Sequence, residues 1–146
     1  MEQFDIIGAL ETYATGKGWK FYYTFDQFYT NIGVNQEFEA DDLILIADFQ
    51  AEPTLQNGSI PAITYNCLLM LGRKFELAGT VSSMDETPKQ KYDRRLKALA
   101  QLLANGMNEF ACNNELEITS FPMIVEWNVY DTNLDFASSV NAIFVQ

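Results

Sequence analysis

The stretch PKQKYDRRLKALAQLLANGMNEFA, residues 88–111, decides the fold. Tyr92, Leu96, Leu99, Leu103 and Phe110 recur at helical spacing and fall in one stripe on a 3.6-residue wheel, with Leu102 and Met107 at its borders. Pro88 suits the first helical position, where its missing N–H would have had no intrahelical partner. Thr87 precedes it as N-cap, its hydroxyl placed to accept from an orphan backbone donor. Leu and Ala, strong helix formers, fill the middle. Burying each stripe residue is worth roughly 2 kcal/mol at most. So apolar a stripe needs a cover, and the rest of the chain reads as the sheet that supplies it.

Toward the N-terminus, residues 63–71 read as a strand. Its faces are Ile63, Tyr65, Cys67, Leu69 and Leu71 against Thr64, Asn66, Leu68 and Met70. Residues 43–49, LILIADF, form a short continuous apolar run that fits a strand buried on both faces. Between them, residues 51–61 read as polar and irregular, with Pro53, Pro61 and an Asn57-Gly58 turn signal, so the two strands make a hairpin whose arms extend beyond the sheet. After Gly72, residues 73–78 read as another short strand, and residues 81–86 as a loop. Residues 3–15 read as a first helix through Phe4, Ile7, Leu10 or Glu11, and Ala14, stopped by Gly16 and Gly18. Residues 19–23 alternate as a short strand with Trp19, Phe21 and Tyr23 on one face. Thr24 and Gln27 have the form of a capping box for a helical turn through Phe28 and Tyr29, closed near Gly33 and followed by an acidic linker at 34–42.

Beyond the long helix, Asn113 and Asn114 make a break, and residues 116–121 read as a strand limited by Pro122. Residues 123–130 read as a strand with Val125, Trp127 and Val129 on one face. Residues 131–138 read as a loop, and 140–145 as a terminal strand returning antiparallel. The order predicts an α+β fold: a single antiparallel or mixed sheet packed against one long amphipathic helix, with an N-terminal helix, in a single domain spanning residues 1–146.

A chain of 146 residues with 48 % hydrophobic residues builds such a core without disulfides or metals. Nine basic and twenty acidic residues give a net charge of −11, which excludes the positive footprint of a sequence-specific nucleic-acid binder. The same acidity suits a surface that DNA slides past, as in a channel lining. The absence of histidine removes the commonest general base and metal ligand. Cys67 and Cys112 read as buried free thiols in a reducing compartment. Asp131, Asn133 and Asp135 have the spacing that opens an EF-hand loop, but Phe136 stands where the turn needs Gly and Ala142 where a bidentate Glu is needed, so they read as a polar turn.

Gly16-Lys17-Gly18 lacks a phosphate-loop pattern. The carboxylates Asp41, Asp42, Asp85 and Glu86 form an acid/base pair only if the fold joins them. Ser59, Ser82, Ser83, Ser120, Ser138 and Ser139 have no nucleophile-elbow context. The expectation is no enzyme, no cofactor and no metal. Residues 1–10 lack a basic n-region and an apolar h-region, and the apolar runs are too short to span a bilayer. The chain is therefore expected to be made in the cytoplasm and to have no membrane partner.

The early helix, the 43–49 strand, the long arm to 63–71, the helix from Pro88 and the closing pair 124–130 and 140–145 together resemble bacteriophage tail-terminator and tail-completion proteins of the neck region. The resemblance covers nearly the whole chain and lies in size, element order and acidity. It implies a protomer that forms a ring, typically hexameric, caps the tail tube and joins it to the head. The partners would be copies of itself, tail-tube proteins and head–tail connector proteins, and the location a virion assembled in a bacterial host. Another phage or secretion-tube subunit, or an acidic DNA mimic, are the other classes the sequence fits.

Two segments are candidates for subunit contacts. The arm at 52–60 is long for a hairpin connection and displays Leu55 and Ile60, which nominates Glu52, Thr54, Leu55, Gln56, Asn57 and Ile60. Lys89, Lys91, Arg94, Arg95 and Lys97 put five of the nine basic residues into nine positions, expected on the solvent side of the long helix. That nominates Lys91, Arg94 and Arg95 as a docking face for an acidic partner such as another copy.

Overall fold

The helix from Pro88 forms as its stripe requires and runs to Asn113. In the computed structural model the described residues are 4–23, 42–56, 58, 61–74, 87–126 and 134–146. The elements in chain order are α1 (Ile6–Gly16), β1 (Lys20–Tyr23), β2 (Leu43–Gln56), β3 (Ala62–Lys74), the long helix, β4 (Glu117–Ser120), β5 (Ile124–Glu126) and β6 (Leu134–Val145). The long helix, α2, has α-helical stretches Pro88–Lys91 and Lys97–Asn113 flanking a π-helical turn, Tyr92–Leu96. This is the expected α+β arrangement, and the sheet is mixed.

The sheet runs β1-β2-β3-β6-β4, with β1 parallel to β2 and the other neighbours antiparallel. β5 also pairs with β6, along the segment 136–138 whose other side already faces β3, so β4 and β5 share the far edge of β6. Pro122 lies in the gap between them, where a residue without an N–H interrupts pairing.

One face of the sheet carries Leu45 and Ala47 of β2, the Ile63–Leu71 alternation of β3, and Ala137, Ala142 and Phe144 of β6. Helix α1 covers it with Ile6, Leu10 and Ala14, and α2 with Leu99, Leu103, Met107 and Phe110. Aromatic edges link the layers: Trp19 to Tyr13, Tyr13 to Phe110 and Phe110 to Phe144, at centroid separations of 5.8, 6.0 and 5.8 Å. On the opposite face Ile44, Ile46, Met70 and Phe136 are also buried. That agrees with the two-sided burial read from LILIADF.

Helix α1 begins later than residue 3. Asp5 is its N-cap and its carboxylate accepts from Gly8 N at 3.0 Å. It closes in a Schellman turn, with Trp19 N donating to Ala14 O at 2.9 Å and Gly18 N to Thr15 O at 3.0 Å. Gly18 takes the left-handed conformation there, at φ +78°. Helix α2 ends in the same motif, with Leu116 N donating to Ala111 O at 2.9 Å, but the left-handed position is occupied by Glu115 at φ +56°.

Four sequence expectations are corrected. Residues 51–56 belong to β2 rather than to an irregular arm, because two bulges between Phe49 and Thr54 absorb the polar stretch and Pro53 while pairing resumes at Thr54↔Thr64. Gly72 does not end a strand. β3 passes through it to Lys74, and a Cβ there would lie 2.7 Å from Phe136 Cε1, so glycine serves the close approach of that ring. Residues 134–138 are strand, not loop, since Phe136 and Ala137 are buried on opposite faces of β6. Tyr92 leaves the apolar stripe. The wider π turn holds an extra residue, so the stripe slips in phase, Tyr92 turns outward and Arg95 inward.

Of the other expectations, the Thr24–Gln27 turn through Gly33, the linker up to Asp41, residues 75–78, the 81–86 loop and the strand portion 127–130 lie outside the described residues.

Candidate functional site

The end of the β2–β3 hairpin is the first surface. β1 pairs only with Ile44–Ala47, and β3 pairs with β6 only from Thr64 onward. Among the described residues, β2 beyond Asp48 therefore has a strand neighbour on one side alone. Pro53 fits that edge, where no N–H is needed. Bulges and a proline are also the devices by which edge strands resist open-ended strand addition. What the hairpin end offers is side chains. Glu52, Thr54 and Leu55 are exposed, Leu55 to 55 %, and Thr54 Oγ1 donates to Glu52 O at 3.2 Å. Asn57, Ile60 and the side chain of Gln56 lie outside the described residues. Gly58 sits in a bend, as the turn signal predicts.

The start of α2 is the second surface. Thr87 and Gln90 cap each other: Gln90 N donates to Thr87 Oγ1 at 3.2 Å, and Thr87 N donates to Gln90 Oε1 at 2.9 Å. Lys89 Nζ lies 2.9 Å from Asp93 Oδ2, and that carboxylate raises the lysine pKa. Lys89, Gln90, Tyr92, Asp93 and Arg94 are all exposed, so over these positions the helix is held by local bonds rather than by a buried face.

Arg95 departs from expectation. Its side chain turns inward, where Nε lies 3.2 Å from Asp135 Oδ2. That pair also replaces the polar-turn reading of Asp135, which is buried in β6. Asp131, Asn133 and the side chain of Lys91 lie outside the described residues. Of the basic trio nominated for docking, Arg94 is exposed and Arg95 is engaged within the fold. Nothing in the sequence spacing marks the pairing of Arg95 with Asp135, because it joins a helix to a strand on a different element.

The remaining polar groups serve the fold. Tyr65 Oη accepts from Phe4 N and donates to Gln146 Oε1, both at 3.0 Å, and Gln146 N donates to Ile63 O, joining the residues ahead of α1 to β3 and Gln146. Lys17 Nζ lies 3.0 Å from Glu109 and 5.8 Å from the Tyr13 ring centre, bridging the end of α1 to α2. Burial, then the Glu109 carboxylate, pushes the Tyr13 hydroxyl up to about 12. Cys67 is buried as expected, and burial followed by the Asp48 charge pushes its thiol up to about 12. Cys112 is instead exposed, because it falls on the solvent side of α2 in its last turn.

Ser138 and Ser139 are buried within β6 and Ser120 lies in β4, while Ser59, Ser82 and Ser83, like Asp41, Asp85 and Glu86, fall outside the described residues. Among the described residues no group of three or more His, Cys, Asp or Glu side chains is placed to hold a metal, and no helix is long and apolar enough to cross a membrane. No family model matches the chain, and no curated protein matches it.

Proposed function

We propose that this chain is a structural subunit of a bacteriophage neck or tail, a tail-terminator-like protein that assembles into a ring capping the tail tube and joining it to the head. The observation that carries this reading is the hairpin end, where paired strands β2 and β3 leave Glu52 and Leu55 exposed on an edge guarded by bulges and Pro53. A leucine left exposed in a strand paired on one side favours a side-chain contact with a neighbour. The bulges and Pro53 make that contact finite rather than an endless strand ladder. Acidity at a net charge of −11 supports a subunit whose ring lets DNA pass without sticking. Its partners on this reading are other copies of the chain, the tail tube and the head–tail connector, its place is the virion, and it has no catalytic role.

A DNA mimic has less support, because the start of α2 interrupts the acidic surface with a basic cluster. The test is complementation. Tails assembled with Leu55→Asp in place of the natural chain should fail to join heads, and electron micrographs of the purified natural chain should contain closed rings. Normal joining by the variant, or an absence of rings, would refute the proposal.

A further inference from the structure

Helix α2 carries its charges against its own dipole. The N-terminus of a helix favours acidic side chains and the C-terminus basic ones, each worth about 0.3–1 kcal/mol. Here the first turn holds no acidic residue and the last turn no basic one. Residues 88–97 hold five basic side chains and one acidic, while the rest of the chain holds four basic and nineteen acidic. At the other end, Glu115 and Glu117 are exposed just past the last turn. Glu115 also occupies the left-handed position at φ +56°, where glycine is favoured. Local preference is thus broken at both ends of one helix roughly 40 Å long at about 1.5 Å per residue. Such violations mark sites kept for another purpose.

We infer that the basic start of α2, Lys89, Tyr92, Arg94 and Lys97, docks on a second copy just past the end of its α2, at Glu115 and at Glu117, the first residue of β4. This rests on the self-assembly reading and supplies a contact that the hairpin alone does not define. The occupant follows from charge. Outside residues 88–97 a second copy is strongly acidic, and its Glu115 and Glu117 lie just past the opposite end of α2. A start-to-end contact is heterologous, so repeated copies close into a ring when the rotation permits. The contact also relieves both misplaced sets of charge. Tyr92, 41 % exposed among the cations, supplies apolar area for the seat.

Two charge-reversed chains test this: Lys89→Glu with Lys97→Glu, and Glu115→Lys with Glu117→Lys. All four changes fall on exposed positions, and the one ion pair they remove, Lys89 with Asp93, is itself exposed, so each chain should stay folded, with at most a small fall in melting temperature. Sedimentation velocity on the natural chain should give an assembly that weakens as salt rises. Each reversed chain alone should need about tenfold more protein to assemble, and an equimolar mixture should regain assembly because each start then meets an opposite end. If the natural chain assembles and neither reversal shifts it, the docking inference is wrong while self-assembly stands. If the natural chain stays monomeric at every concentration, both fall. If the Lys89/Lys97 reversal abolishes binding to a short DNA duplex and leaves self-association intact, the basic start serves a nucleic acid and the inference is overturned.

Discussion

Arg95 Nε lies 3.2 Å from Asp135 Oδ2, with the two side chains 16 % and 4 % exposed, so the π turn of α2 is tied to the first residues of β6 by a charge pair withdrawn from water. Breaking such a pair from one side leaves a buried charge uncompensated, a loss of about 3–5 kcal/mol, whereas replacing both partners by apolar groups is often close to neutral. Arg95→Met should therefore destabilise the fold by about 3 kcal/mol, and Arg95→Met with Asp135→Leu should recover most of that. Urea unfolding of the two variants measures it. Additive losses in the double variant would mean that the pair is not coupled.

Gly72 and Phe136 form a second constraint. A methyl at residue 72 would sit 2.7 Å from Phe136 Cε1, so Gly72→Ala should cost about 1–3 kcal/mol through overpacking. Phe136→Leu in the same chain should return part of the loss. A Gly72→Ala variant with an unchanged unfolding midpoint would show that the ring yields freely.

The thiols give a pH prediction. Below pH 9.0, the ordinary value for its thiol, Cys67 is protonated both folded and unfolded; above it the unfolded chain loses the proton while the folded chain holds it to about 12. The folded state then binds more protons, so stability falls as pH rises through that window. Tyr13 acts in the same direction between its ordinary 10.0 and about 12. Cys67→Ala should flatten the alkaline decline between pH 9.0 and 12, apart from the share owed to tyrosine. In the native protein at neutral pH a thiol reagent should label Cys112 promptly and Cys67 only on unfolding. Prompt labelling of both would contradict the burial of Cys67.

What could be read from sequence divides along physical lines. The apolar spacing of Leu96, Leu99, Leu103 and Phe110 announces α2, and LILIADF announces the central strand, because burial leaves its period in the chain. The π turn at Tyr92–Leu96 leaves no such trace, since one extra residue per turn shifts a stripe without changing its composition. The continuation of β2 through Pro53 does not show in the sequence, because proline and polar residues read as loop, while an outer edge accepts both. Residues 134–138 read as polar because the ion pair of the buried Asp135 is with Arg95, a residue on another element that spacing does not reveal. The exposure of Glu52, Thr54 and Leu55 is legible because a leucine in a polar stretch has few apolar neighbours to pack against. Arg95 does not stand out within its run, because a basic run does not disclose which member turns inward.

Glu115 tests whether α2 trades stability for contact. Glu115→Gly relieves the left-handed strain at φ +56° and should raise stability by roughly 0.5–1 kcal/mol. The same change should weaken self-association, because it removes a carboxylate from the proposed contact. Thermal unfolding read beside sedimentation separates the two effects. A variant that gains stability and assembles undiminished would remove Glu115 from the interface.

The central claim is that this chain works by assembling with itself through the hairpin end. Light scattering across a rising concentration series, with the natural chain beside a Glu52→Lys, Leu55→Asp variant of equal melting temperature, measures it most directly. The natural chain should converge on one defined multiple of the single-chain mass, and the variant should remain a single chain. A natural chain that keeps the single-chain mass throughout the series, or a variant that assembles alongside it, would contradict the account.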